Sequence, residues 1–169
     1  MRAAFGFILG LTLAAVPPPA VAETPEYPAK GMNVFDPQAN GMADVDAALK
    51  QAANDRKRVI VMFGANWCGW CHRLNDAFES DPVLIGHFNR DFVLVKVDVN
   101  AKSGQQRNRD VVERFDKPTR VGLPALLVLE PTGAMVALQK ASEWKMPDGK
   151  AYQRSKVLAS FESWVPAKP

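Results

Sequence analysis

Two cysteines, Cys68 and Cys71, carry the clearest chemistry in this chain of 169 residues. Gly69 and Trp70 separate them, and the pair follows a short turn after the continuous apolar run 59–63. Such a run is typical of a buried central strand, and the residues after the turn predict a helix. Two cysteines at this spacing can close a small disulfide ring across the first turn of a helix. The spacing therefore favours thiol–disulfide exchange, in which one sulfur attacks a substrate disulfide and the other releases the product.

The predicted helix makes the two cysteines unequal. We expect Cys68 at the helix N-terminus, where unpaired backbone N–H groups and the helix dipole favour a thiolate. Cys71 shares a helix face with Leu74 and Phe78, at spacings of three and four. That face should pack against the core. The sequence thus predicts an exposed, nucleophilic Cys68 and a buried, resolving Cys71.

Other uses of the motif stay open at this point. A purely structural disulfide is disfavoured because a very short loop constrains the unfolded chain least. The pentapeptide 68–72 ends in His72 and also matches the C-x-x-C-H pattern that attaches c-type haem. A structural zinc site needs four ligands, and the sequence has only four cysteine or histidine residues: the two cysteines, His72 and His87. A non-catalytic binding module could use the cysteines to grip a partner or a metal such as copper. We predict no other role for His87.

The remaining segments supply the elements that position the pair. We expect Asp44 to cap the first helix, and Asp81-Pro82 to begin a helix directly after the one that carries the cysteines. The predicted helices cover 44–55, 68–80, 82–89, 103–115 and 150–165, and the predicted strands cover 59–63, 92–99, 125–129 and 135–138. Strands that alternate with helices and end in a hairpin indicate an α/β fold with a mixed sheet covered on both faces.

Composition narrows the function classes. A hydrophobic content of 47% excludes wholesale disorder, and the length fits one domain with short tails. The 21 basic and 18 acidic residues give a formal net charge of +3, a balance too even to indicate nucleic-acid binding. We expect no nucleic-acid partner, no resident metal and no cofactor.

The N-terminal residues have the pattern of a cleaved secretory signal. Arg2 precedes the uncharged, mostly apolar stretch 3–16, three prolines follow, and the small-x-small motif 20–22 comes before Glu23. The apolar run is shorter than the ~20 residues that span a bilayer, and no cysteine lies nearby to carry lipid. For a bacterial source this pattern predicts a periplasmic protein. The predicted organisation is a signal peptide at 1–22, an N-terminal arm at 23–43 and one domain at 44–169.

These features together resemble the thioredoxin superfamily. The resemblance spans about Asp44 to Val165 and is carried by the strand Val59–Phe63, Trp67-Cys68-Gly69-Trp70-Cys71, the strand Phe92–Val99 and Gly122-Leu123-Pro124. It implies the thioredoxin fold, a central mixed β-sheet flanked by helices on both faces. It also implies that the peptide bond before Pro124 is cis, which is rare for X–Pro bonds, and that this proline lies against the cysteine pair.

The resemblance further implies how a substrate is held. The backbone N–H and C=O of Leu123 would pair with an extended peptide that carries the target disulfide, in the manner of an added strand. The two tryptophans of the motif would form apolar walls beside Cys68. The substrate-binding surface would then be made by Trp67, Gly69, Trp70, Leu123 and Pro124.

The chain departs from the thioredoxin pattern near the site. Trp70 stands where thioredoxin has proline, and Met62 stands where it has a buried Asp that assists proton transfer to the resolving cysteine. Lys96 matches the lysine that accompanies that Asp and would lack its partner. Water, or less directly His72, could substitute, and a protonated His72 would favour a Cys68 thiolate. His72 and Lys96 are therefore candidate modulators.

We predict a monomeric, exported thiol–disulfide oxidoreductase that acts on protein or small-molecule thiols and disulfides. The reducing direction is favoured because the site stays close to Trp-Cys-Gly-x-Cys, and because the chain has no room for the helical insertion of the oxidase group or the dimerisation domain of the isomerases. The chain has no third cysteine to serve as an internal relay. A membrane or periplasmic redox partner, or a small thiol, must therefore recycle the pair.

Overall fold

The computed structural model describes residues 33–100 and 106–167. The predicted signal peptide at 1–22 and residues 23–32 of the predicted arm lie outside these ranges. The α-helices are α1 (Gly41–Asp55), α2 (Gly69–Ser80), α3 (Pro82–Arg90), α4 (Arg109–Arg114) and α5 (Arg154–Ser163). The strands are β1 (Arg58–Gly64), β2 (Phe92–Asp98), β3 (Ala125–Leu129) and β4 (Met135–Lys140), and short 3₁₀ helices cover Pro118–Val121 and Ala141–Trp144.

The four strands form one mixed sheet in the order β2-β1-β3-β4. β1 pairs in parallel with β2 and antiparallel with β3, and β4 returns antiparallel to β3. Every residue of β1 after Arg58 is buried, which explains why its sequence is a continuous apolar run rather than an alternating one. The predicted α/β class with a mixed sheet is confirmed.

Alternate residues of β1 enter two separate cores. Ile60 and Met62 pack on one face with apolar residues of α2, α3 and α5. Val59, Val61 and Phe63 pack on the other face with those of α1 and α4. The sheet is therefore covered by helices on both faces, and both cysteines belong to the core beneath α2.

The first helix begins earlier than its sequence pattern predicts. Asn40, not Asp44, is the N-cap of α1, and its Oδ1 accepts a hydrogen bond from Ala43 N–H at 3.1 Å. Asp44 instead lies in the first turn, where its charge suits the positive end of the helix dipole. Phe35 is fully buried in the core beneath α2, so the end of the predicted arm at 23–43 packs with the domain.

The last two helices are shorter than predicted. Asn108 has a left-handed backbone (φ 49°), and α4 begins directly after it; positions 103–105 of the predicted helix lie outside the described residues. Tyr152 lies before α5, not on it, because it forms a β-bridge with Lys145. The predicted helix over 150–165 is therefore wrong at its start, and the segment that holds Tyr152 returns toward the cysteine-bearing helix.

His87 is a packing residue. It is buried, its Nδ1 lies 2.8 Å from a carboxylate oxygen of Asp91, and its ring lies near those of Phe92 and Phe161.

Within the two described ranges, no helix has both the length and the apolar character required to cross a bilayer.

Candidate redox site

Cys68 and Cys71 lie at the point where β1 passes into α2, and a disulfide joins them with a Cα–Cα distance of 5.2 Å. A turn closed by the Cys68 N–H and the carbonyl of Ala65 (2.9 Å) delivers the chain to the helix. Cys68 is the N-cap of α2, and its Sγ accepts a hydrogen bond from the Cys71 N–H at 3.3 Å. The sulfur of Cys68 therefore lies at the positive end of the helix, as its spacing predicts.

Burial differs between the sulfurs by less than the sequence suggests. Cys71 is fully buried, as predicted, but Cys68 is only 7% exposed, so the prediction of an exposed Cys68 is wrong for this oxidised form. The disulfide turns the Cys68 sulfur toward its partner, while Trp67, Trp70 and Leu123 pack against the same cluster. Gly69 is exposed, and a Cβ at this position would meet nothing within 4 Å. The surface beside the disulfide is therefore open at Gly69.

The segment before β3 lies beside the disulfide. The Leu123–Pro124 peptide bond is cis, as the resemblance implies. Ala125 pairs with Phe63 in the antiparallel register, which places Pro124 next to the end of β1 that precedes the cysteines. Pro124 is buried and Leu123 is half-buried. Among the described residues, neither the N–H nor the C=O of Leu123 has a hydrogen-bond partner, so both are available to a peptide backbone.

The two tryptophans of the motif have different surroundings. Trp67 is half-buried and donates from Nε1 to Asn100 Oδ1 at 3.2 Å, which ties it to the loop after β2. Trp70 is also half-buried, and its ring packs against Tyr152 with a centroid separation of 4.9 Å. Trp67 is thus tied to the loop after β2, whereas Trp70, in the first turn of α2, packs against the segment before α5.

Tyr152 anchors the loop between the cysteines. Its hydroxyl donates to the carbonyl oxygen of Trp70 at 3.1 Å, the carbonyl of the peptide unit that leads into Cys71. Burial raises the pKa of Tyr152 far above its ordinary value, and the nearby Arg73 lowers it by less. The hydroxyl therefore keeps its proton and stays a donor at any physiological pH.

Phe35 and Asn66 lie on the inner side of the site, and neither was predicted from sequence as a site residue. Asn66 is buried; its Oδ1 accepts from Phe35 N–H at 2.9 Å and its Nδ2 donates to Phe35 O at 2.8 Å. The Phe35 ring lies so close to Gly64 that a Cβ there would lie 2.8 Å from Phe35 Cε2 and 2.9 Å from Cys71 Sγ. Asn66 therefore holds Phe35, 31 positions away in the chain, beside Gly64 and the resolving sulfur.

His72 and Lys96 have partners of their own. The Nε2 of His72 lies 2.6 Å from the carbonyl oxygen of Asn66, and since a carbonyl only accepts, this nitrogen carries a hydrogen. His72 is therefore neither a freely exposed helix residue nor a free axial ligand for haem iron. Lys96 is paired with Met62 in the β1–β2 register and does not lack a carboxylate: its Nζ lies 3.5 Å from Glu79 on α2. Neither residue contacts a cysteine sulfur through a hydrogen bond.

In the described ranges, no group of three or more His, Cys, Asp or Glu side chains is arranged to hold a metal ion. The groups that meet at the site are the sulfur pair, the N-terminus of α2 and the peptide groups of Leu123. This arrangement can accept and release two electrons as the disulfide opens and closes.

Comparison of the sequence with known proteins identifies a family and two relatives that this chain resembles. A model of the family described as thioredoxin-like matches residues 40–131. The chain is 34% identical over 100 residues to protein disulfide-isomerase A5 of Bos taurus, which covers 59% of this chain and 16% of that protein. It is 41% identical over 54 residues to thioredoxin of Mycoplasmoides gallisepticum, which covers 32% of this chain and 50% of the relative. The chain thus matches half or less of the length of these curated relatives.

A solved structure supports the fold. A disulphide isomerase from Xylella fastidiosa Temecula1 superposes with a TM-score of 0.65 at 22% identity, covering 77% of this chain and 95% of that chain. At 22% identity, this similarity shows that the two chains share a fold.

Proposed function

Because this chain belongs to the thioredoxin-like family, we propose that it is a thiol–disulfide oxidoreductase whose working group is the Cys68–Cys71 pair. One observation carries the proposal: Cys68 is the N-cap of α2 and Cys71, one turn further, is joined to it by a disulfide at the end of the central strand. A disulfide that closes so short a loop contributes little to stability, so its placement is better explained by reactivity.

The proposed reaction starts from the reduced pair. The Cys68 thiolate attacks one sulfur of a substrate disulfide, a mixed disulfide forms, and the other substrate sulfur leaves as a thiolate that takes a proton from water. The Cys71 thiolate then attacks the Cys68 sulfur, closes the internal disulfide and releases the second substrate thiol, so that two electrons pass to the substrate. The Cys71 N–H, which donates to Cys68 Sγ at 3.3 Å, would stabilise the attacking thiolate.

The substrate is held, in this proposal, as an extra strand beside Leu123. The unpaired N–H and C=O of Leu123 support this, because an extended peptide could satisfy both while its disulfide lies over the open surface at Gly69. Trp67 and Trp70 would flank the bound segment as apolar walls.

The direction and place of action are further parts of the proposal. We favour reduction of protein disulfides in the periplasm by a monomer, which the Trp-Cys-Gly-x-Cys motif and the signal-like residues 1–22 support. An oxidising compartment would then require a membrane or periplasmic partner, or a small thiol, to return electrons to the pair.

Two serine variants test the mechanism. With insulin as substrate and a dithiol as electron donor, Cys68→Ser should lower the rate to that of the dithiol alone, because no attacking sulfur remains. Cys71→Ser should still attack but accumulate mixed disulfides, which intact-mass spectrometry detects. Circular dichroism of both variants serves as the control for folding. Full activity in Cys68→Ser would refute the mechanism.

A measurement of the reduction potential of the pair separates the directions. A value near ~ −270 mV, as in thioredoxin, supports a reductase, whereas a value near ~ −120 mV supports an oxidase. If the pair instead binds a partner or copper at stoichiometry and shows no turnover with any disulfide, the chain is a binding module.

A further inference from the structure

Two cations lie against the tryptophan between the cysteines. Lys145 Nζ lies 3.9 Å from the centroid of the Trp70 ring, and the guanidinium carbon of Arg73 lies 4.9 Å from it. Both distances are within the range in which a cation is attracted to the face of an aromatic ring. We refer to Arg73 and Lys145 together as the cationic rim.

The fold holds the cationic rim in place. Lys145 forms a β-bridge with Tyr152, whose ring packs on Trp70 and whose hydroxyl donates to the Trp70 carbonyl at 3.1 Å. The Arg73 guanidinium donates to the carbonyl of Lys150 in the same segment. The segment from Lys145 to Tyr152 is therefore joined to α2 beside Trp70 by the side chains of Arg73 and Tyr152.

Neither cation of the rim forms an ion pair with a described carboxylate. Within the described part of the chain, neither Arg73 nor Lys145 has a carboxylate oxygen within 4.0 Å. Two carboxylates of the neighbouring segment have other partners: Glu143 accepts from Gln139 Nε2 at 2.9 Å, and Asp148 accepts from the Lys150 N–H at 3.0 Å. Asp76, one turn after Arg73 on α2, is exposed and forms no ion pair with the rim.

We propose that Arg73 and Lys145 are specificity-determining residues that favour disulfides flanked by negative charge, such as those in acidic peptide segments. The inference rests on the proposed function, since it concerns the choice among substrates of the same cysteine pair. Trp70 packs against the cluster that holds Cys68, so a carboxylate that flanks a disulfide bound at Cys68 would be attracted by both cations on the Trp70 ring. Charge complementarity of this kind acts mainly on the rate of association and on the rejection of wrong partners.

The step involved is the first half of the exchange. The protein is first reduced by a dithiol, which gives two electrons and two protons to the Cys68–Cys71 disulfide and is itself oxidised to a disulfide. After removal of the dithiol, the Cys68 thiolate attacks the probe disulfide, one probe thiolate leaves, and Cys71 displaces the second. Since the attacking thiolate is the same for every probe, the ratio of two probe rates at one pH cancels its degree of ionisation.

The test uses three small disulfides of different charge. They are 3,3′-dithiodipropionate, which is a dianion, 2-hydroxyethyl disulfide, which is neutral, and cystamine, which is a dication. The double variant Arg73→Gln/Lys145→Gln should lower the dianion-to-dication rate ratio by about three- to tenfold at low salt, as expected for charges ~5–8 Å apart near a wet surface. The rate with the neutral probe should stay within about twofold. In ~1 M salt, where the Debye length is ~3 Å, the difference from wild type should disappear.

A matched control removes a cation elsewhere. Arg109→Gln on α4, on the opposite face of the sheet, changes the net charge by the same amount per residue and should leave the ratio unchanged. Lys145→Glu should shift the preference toward cystamine, and the neutral probe reports whether either variant still folds and reacts. An unchanged ratio in the double variant overturns the proposal. Loss of reaction with all three probes in the wild-type protein would instead refute the proposed oxidoreductase function.

Discussion

At the scale of single residues, the two sulfurs differ in how much room surrounds them. Cys71 is fully buried, and its Sγ lies against Gly64, where Phe35 closes the space from the other side. Cys68 faces the helix terminus, and the adjacent Gly69 leaves open surface. Of the two cysteines, only Cys68 keeps an exposed fraction (7%), and it lies beside the open position of Gly69. This small difference is consistent with the proposed roles of Cys68 as attacking residue and Cys71 as resolving residue.

Gly64 tests how tightly the resolving sulfur is enclosed. A Cβ at this position would lie 2.9 Å from Cys71 Sγ and 2.8 Å from a ring carbon of Phe35, so the buried ring or the sulfur must move. We expect Gly64→Ala to lower the free energy of unfolding by about 1–3 kcal/mol, the usual cost of overpacking a core. Urea denaturation followed by tryptophan fluorescence measures the change.

Gly86 provides the matched control for that substitution. It lies inside α3, and a Cβ there would meet nothing within 4 Å. Alanine has the higher helix propensity, so Gly86→Ala should raise stability by about 0.5–1 kcal/mol. Equal stability of Gly64→Ala and wild type would show that Phe35 does not pack over the cysteine as the structure places it.

The cysteine pair could be found from sequence, but the residues on its inner side could not. The spacing of Cys68 and Cys71 after an apolar run is a local signal, and so is the helix face that buries Cys71. Asn66 and Phe35 meet across 31 positions through reciprocal side-chain to backbone hydrogen bonds, which no local period encodes. The low exposure of Cys68 was likewise not predicted, because it depends on packing within the folded core.

At the scale of secondary-structure elements, Asp81 separates the cysteine-bearing helix from the next. It ends α2 and is the N-cap of α3, where its Oδ1 accepts from Val83 N–H at 2.9 Å. The Arg154 guanidinium at the start of α5 donates to the same carboxylate at 2.5 Å and 3.1 Å. One residue thus joins three helices that cover the same face of the sheet, α2 through its backbone N–H and α3 and α5 through its carboxylate.

Removal of the Asp81 carboxylate should reduce the loss of unfolding free energy that occurs at acid pH. The hydrogen bond from Arg154 holds the pKa of Asp81 below its ordinary value of 3.8; burial opposes this, and the N–H groups of Val83 and Leu84 assist it. Because the folded pKa is the lower one, the stabilisation is complete above about pH 4 and is lost as the pH falls through the folded pKa. The stability difference between wild type and Asp81→Asn should therefore shrink as the pH falls below about 4, as measured by urea denaturation at a series of pH values.

Asp81→Ala separates the cap from the charge. Asparagine still accepts from the helix N–H, whereas alanine cannot, so Asp81→Ala should cost about 1 kcal/mol more than Asp81→Asn at neutral pH. If the wild-type and Asp81→Asn curves run parallel from pH 7 to pH 2, the Arg154 contact does not operate in solution.

The start of α3 was predictable because a cap and a proline set it locally, whereas the local cap of α1 at Asn40 was missed. The Asp81-Pro82 break is a cap and a first-turn proline, and the observed α3 begins at Pro82 as predicted. The starts of α4 and α5 depend instead on distant contacts. Asn108 accepts from Gly41 N–H and donates to the carbonyl of Asp98, which holds it out of the helix, and the bridge of Tyr152 to Lys145 delays α5.

At the scale of the whole molecule, Arg58 ties the beginning of the central strand to the end of the last helix. Its guanidinium forms an ion pair with Glu130 after β3 and donates to the carbonyls of Trp164 at 3.0 Å and Val165 at 3.3 Å. The side chain is 16% exposed, so this charge is largely desolvated and its hydrogen bonds matter. Arg58 therefore links two parts of the described domain that lie more than one hundred positions apart in the chain.

The N-terminal residues predict that the whole chain is exported. We expect a bacterium that synthesises the full chain to release a soluble periplasmic form that begins at Glu23, because the basic residue, the short apolar stretch and the Ala20-Val21-Ala22 motif form a signal pattern. Intact-mass spectrometry of the periplasmic fraction measures this. Leu11→Arg places a charge in the apolar stretch and should leave the precursor in the cytoplasm, whereas Thr12→Ser should be processed normally. An unprocessed chain in the cytoplasm for the wild type would contradict the prediction, and it would move the proposed reductase to a compartment that needs no periplasmic electron donor.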